Sequence, residues 1–62
     1  MKFLLIIYLL SSGYYQERHV SEESCEDTLK LTHVLYGNDL WSGTCVGPDD
    51  EITMQISADI GP

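Results

Sequence analysis

Basic residues are nearly missing from this chain: Lys and Arg together number three against ten Asp and Glu, for a formal net charge of -7. Neutralising a phosphate backbone takes clustered Lys and Arg, so nucleic acid is excluded as a partner, and an acidic field repels anionic lipid as well. The longest apolar run, residues 3–10, is less than half of the roughly 20 residues a membrane-spanning helix needs. Cysteine is confined to two residues with no C-x-x-C, and there is no G-x-S-x-G, P-loop or H-E-x-x-H. His19, His33, Cys25 and Cys45 are ligand types for zinc, but they lack the short paired intervals of zinc modules, and Asp49-Asp50-Glu51 lacks the spacing of a calcium loop. At 62 residues the chain is short for enclosing a site. The expectation is a non-catalytic protein with no metal and no cofactor. Internal repeats and low-complexity tracts are also lacking, and there is no room for a second domain.

What is present centres on the stretch between the two cysteines. Placed at 100° per residue, the segment Glu22–Tyr36 gathers Cys25, Thr28, Leu29, Leu31, Thr32, Leu35 and Tyr36 on one face. Glu22, Glu23, Glu26, Asp27, Lys30 and His33 fall on the other, with Val34 as the apolar exception. Ser21 stands at the N-cap position, and Val20 before it is placed to staple onto Cys25. Glu22 and Glu23 favour the positive end of the helix dipole, Glu26 and Lys30 form an i,i+4 pair, and Gly37 supplies a stop.

Asn38 and Asp39 then turn the chain into Leu40–Val46, whose Trp41, Thr44, Cys45 and Val46 suit a strand. Cys25 lies about 16–17 Å from the helix end at helical rise, and Cys45 about the same distance along the returning strand. The two cysteines therefore arrive side by side, within reach of a disulfide. Reading 29–36 as a strand hairpinned through Gly37-Asn38 leaves Cys25 overshooting Cys45, so the helix is preferred. A bridge of this span stabilises a small domain by about 3 kcal/mol and belongs in an oxidising compartment.

The first thirteen residues carry two readings. Lys2, the apolar run 3–10 and Ser11-Ser12-Gly13 follow the order of a secretory signal, with Ser11 and Gly13 as the small residues before a cut. A continuous apolar run bounded by Ser and Gly is also what a buried central strand looks like. On the first reading, residues 1–13 are removed and 14–62 form a single small domain. On the second, 3–10 is its first core strand.

Residues 14–20 read as a short strand or extended arm. Beyond Cys45, Gly47-Pro48-Asp49-Asp50 is turn chemistry, and Ile52, Met54, Ile56, Ala58 and Ile60 alternate with polar residues through 52–60, which Gly61-Pro62 ends. This strand should pair antiparallel with Leu40–Val46. The fold expected is α+β: one helix over 22–36 on a small, mainly antiparallel sheet of 14–20 and/or 3–10, 40–46 and 52–60. The expected core is Leu29, Leu31, Leu35, Trp41, Val46, Ile52, Met54 and Ile56.

Ser21-Glu22-Glu23-Ser24-Cys25, then a helix, then Trp41-Ser42-Gly43-Thr44-Cys45-Val46, all behind a short apolar start, resembles small one-disulfide proteins of bacteria and their phages. The resemblance runs from Met1 to about Val46 and implies a helix cysteine paired with one on the following strand. It implies no activity.

The functional expectation is a small acidic exported protein, secreted or periplasmic, that acts by protein–protein interaction as an inhibitor or accessory factor. Glu22, Glu23, Glu26 and Asp27 would meet a basic surface on a partner, with Trp41, Tyr14, Tyr15 and Tyr36 as aromatic anchors. The alternative is a cytoplasmic structural or assembly module with 3–10 in its core and both cysteines reduced.

Overall fold

A computed structural model describes residues 2–57 and has the expected α+β arrangement: one helix packed on a four-stranded antiparallel sheet. The elements are β1 (Phe3–Leu9), β2 (Gly13–His19), α1 (Glu22–Tyr36), a short 3-10 turn (Gly37–Asp39), β3 (Leu40–Val46) and β4 (Ile52–Ser57), and the sheet order is β2-β1-β3-β4. Both segments before the helix are strands. The apolar run takes an inner position, paired with β2 on one side and β3 on the other. An inner strand covered by a helix on one face ordinarily alternates, but β1 is apolar on both: Leu5, Ile7 and Leu9 are buried in the core, and Leu4, Ile6 and Tyr8 face the other way. The mixed β2 lies at the edge, exposed except at His19.

Each end of α1 follows from its sequence. Ser21 is extended, and its hydroxyl accepts a hydrogen bond from the Ser24 N–H at 3.1 Å. At the other end Gly37 has a φ of 52°, and its N–H bonds the His33 carbonyl. Val20 does not staple onto Cys25, being 83% exposed. The only ion-pair contact among the described residues joins His19 and Glu17, so Glu26 and Lys30 do not form theirs.

The core differs from expectation in a consistent way. Leu5, Ile7, Leu9, Cys25, Leu29, Leu40 and Cys45 are buried, with Phe3, Met54 and Ile56 packed against them. Leu31 and Leu35 are 57% and 70% exposed, and Trp41 and Ile52 are about half exposed. On α1 the buried stripe is Cys25, Leu29 and Thr32. Leu31 is two residues, or about 200°, around the helix from Leu29 and faces solvent. The apolar area those residues would have supplied comes from β1.

Gly43 is where α1 and the sheet approach most closely. A Cβ there would overlap the Leu29 Cδ1 and stand 3.3 Å from the Ile7 Cδ1. Beside it, Cys25 and Cys45 form a disulfide across the helix–sheet interface, with 6.1 Å between their Cα atoms. The bridge ties α1 to an inner strand.

The turns are fixed by local polar contacts. In the β1–β2 turn, the Leu10 N–H donates to the Asp39 carbonyl at 2.8 Å, and Ser11 gives both its N–H and its hydroxyl to the Asp39 carboxylate. In the β3–β4 turn the Gly47 N–H bonds the Glu51 carbonyl at 2.7 Å, and Asp50 takes a φ of 61°. That strand pair has the expected antiparallel register, with an irregularity between Cys45 and Val46. The continuation of β4 into 58–60 and the stop at Gly61-Pro62 lie outside the described residues.

Candidate interaction site

Register fixes which side chains share each face of the sheet, because residues directly opposite in an antiparallel pair point the same way. On the helix side the rungs are Glu17–Leu5–Cys45–Met54 and Tyr15–Ile7–Gly43–Ile56. On the open side they are Arg18–Leu4–Val46–Ile52, Gln16–Ile6–Thr44–Gln55 and Tyr14–Tyr8–Ser42–Ser57. The pairing of β1 and β3 shifts between Tyr8 and Leu9, leaving Trp41 as the extra residue.

Trp41 therefore turns to the open side. Its ring meets Tyr8 edge-on at 5.9 Å between centroids, and Tyr8 stacks on Tyr14 at 5.0 Å. The three rings form a continuous aromatic row beside Leu4 and Ile6. All three remain partly exposed: Tyr8 42%, Tyr14 52% and Trp41 47%.

The acidic residues lie on the other layer. Glu22, Glu23 and Asp27 are exposed on α1, and Glu26 is half-buried. Glu23 and Asp27 line a shallow open groove with Ser21, Ser24 and Thr28. Of the four acids expected to act together, Glu23 and Asp27 share this groove and Glu22 and Glu26 lie on the same helix, whereas Trp41 is on the opposite side of the sheet. Of the expected anchors Tyr14 joins Trp41 in the aromatic row, and Tyr8, which links them, was the aromatic residue that the sequence reading missed. The available signal was the Ser11-Ser12-Gly13 break, which folds the apolar run onto 14–20 and sets Tyr8 opposite Tyr14.

Charge follows the same division. Glu17 is on the helix side of β2, Asp39 is in the 3-10 turn, and Asp49, Asp50 and Glu51 are in or beside the β3–β4 turn. Among the strand-paired residues of the open face there is no carboxylate, and the one charged side chain is Arg18 at an edge.

His19 is nearly buried where β2 passes into α1. Its Nδ1 lies 2.8 Å from the Ser24 hydroxyl. Its Nε2 is 2.7 Å from a Glu17 carboxylate oxygen. Cys25 is in the disulfide and His33 is exposed on the helix, so the ligand types noted in the sequence do not converge. No group of three or more His, Cys, Asp or Glu among the described residues is placed to hold a metal. No described helix is long and apolar enough to cross a membrane.

No family model, curated protein or solved structure matches this chain.

Proposed function

We propose that this is a non-catalytic protein-binding module of an oxidising compartment, outside the cytoplasm, that acts with strand β1 in place. Its acidic helix face, Glu22, Glu23, Glu26 and Asp27, receives a basic surface on the partner. The single observation that carries the reading is the sorting of charge: the carboxylates are concentrated on the helix layer and at the turns, away from the open sheet face. An acidic field on one layer steers a basic partner to that layer and orients it on approach. The disulfide supports the choice of compartment, because such bonds persist where thiols are not kept reduced.

The test is site-specific photocrosslinking in the cell that makes the protein, with the photoreactive residue replacing Asp27 or, on the opposite layer, Gln55. A discrete adduct from position 27, lost in the triple variant Glu22→Gln, Glu23→Gln, Glu26→Gln, is expected. Absence of any adduct from position 27, or an adduct indifferent to those substitutions, overturns the assignment of the helix face.

A further inference from the structure

The open face of the sheet is a separate surface from the acidic helix, and its chemistry points to a different occupant. Leu4, Ile6 and Tyr8 run down its centre, with Tyr14, Trp41, Val46 and Ile52 around them. Polar side chains on it are uncharged apart from Arg18, which stands on the edge strand, where its guanidinium can stay in water.

We infer that this face is the interface of a two-fold homodimer, sheet against sheet, with the two acidic helices outermost. The electrostatics select a second copy over a basic partner. A protein of net charge -7 repels its own copies wherever carboxylates would meet, and the open face is where, among the strand-paired residues, none would. A basic partner would gain from carboxylates placed at its interface, and here they are withheld. A two-fold contact also asks that one patch be complementary to itself, which an apolar row with neutral hydrogen-bonding groups satisfies. Packing face to face at about 10 Å between sheets would cover the aromatic row on both copies.

The area sets the expected strength. Four strands at about 4.8 Å spacing and roughly 20 Å of strand length give a projected face of about 400 Å² per copy. With surface relief, the pair buries on the order of 1,000–1,200 Å², at the low end for specific interfaces. An interface of that size is expected to be reversible, so the dimer should depend on concentration. The exposed triad Leu31, Val34 and Leu35 on α1 is the competing patch, and it shares its helix with the acidic residues Glu22, Glu23, Glu26 and Asp27.

The experiment is sedimentation equilibrium of the oxidised protein over a concentration series from about 1 to 500 µM, a range that spans weak to moderate dissociation constants. Emission of the single tryptophan, Trp41, is read in parallel. The expected result is a mass rising from 7.0 kDa toward twice that value, with Trp41 emission moving to the blue over the same range. Gln16→Glu with Gln55→Glu places carboxylates at two exposed positions of the face and should raise the dissociation constant by about tenfold or more. Circular dichroism confirms that this variant is folded. Glu23→Gln, on the opposite layer, should not weaken the dimer. A monomer at every concentration overturns the inference. So does a dimer that survives the two added carboxylates but is lost on Leu31→Glu with Leu35→Glu. Neither outcome touches the helix-face crosslink, which reports on a heterologous partner.

Discussion

Ser11 directs both of its hydrogen-bond donors to one carboxylate, that of Asp39, with the N–H at 3.0 Å from Oδ1 and the hydroxyl at 2.6 Å from Oδ2. These residues are 28 positions apart, so the contact links the β1–β2 turn to the connection between helix and β3. The Ser-Ser-Gly segment, which reads equally as a cleavage site, here turns one strand of the sheet into the next.

Asp39→Ala should therefore destabilise the whole fold. Charge-assisted bonds are worth up to about 3 kcal/mol, but both are exposed to water, so about 1 kcal/mol is expected. Urea denaturation measures it, and a double-mutant cycle with Ser11→Ala should show that the two substitutions are not additive.

The disulfide should contribute more. Replacing Cys25 and Cys45 with Ser opens a link between residues 20 apart, for an expected loss of about 3 kcal/mol. Denaturant midpoints of the double variant, compared with those of the oxidised protein, give the figure directly.

Gly43→Val tests the close approach of helix and sheet. The added side chain would displace Leu29 and crowd Ile7, at a cost of about 1–3 kcal/mol. Gln55→Val, on the open face, provides the comparison, and its effect should be within about 0.5 kcal/mol.

Tyr15 supplies a pH dependence. Burial beside the helix raises its pKa above the usual 10.0, with smaller contributions from Tyr36 and Glu17 in the same direction and an opposing one from Thr32. A raised value means that the folded state holds the phenolic proton more tightly than the unfolded chain. The stabilisation is present in full below pH 10 and lost as pH rises through the folded value. The residue is 38% exposed, so solvent screening keeps the effect small. Unfolding midpoints measured from pH 9 to 11.5 (a range about the usual tyrosine value) should fall for the natural protein and fall less for Tyr15→Phe.

The elements that were legible in the sequence are those whose signals are local. Ser21 and Gly37 bound α1 because a cap needs only its own turn, and Gly47-Pro48-Asp49-Asp50 reverses the chain for the same reason. The cysteine pairing was legible too, since helix and strand rise carry both residues the same distance from the turn. The breadth of the buried helix stripe was not. Leu31 and Leu35 are apolar but lie at the margin of the apolar arc, and which part of so wide an arc meets the sheet is set by packing that the sequence pattern does not specify. The dual reading of 3–10 had the same origin, because an inner strand and a leader share one composition. Trp41 was placed with the acids because both are surface-binding types; the irregularity between β1 and β3 that turns it to the far side is a property of strand pairing.

The most direct test of the account is the mass of the protein recovered from the cell that makes it, alkylated before and after reduction and mapped by peptides. The account predicts that the Phe3–Leu9 segment is present in the mature chain and that Cys25 and Cys45 are protected until reductant is added. Loss of residues 1–13 would contradict the inner position of β1 in the working protein. Two thiols alkylated without reduction would contradict the stapled domain and its oxidising compartment.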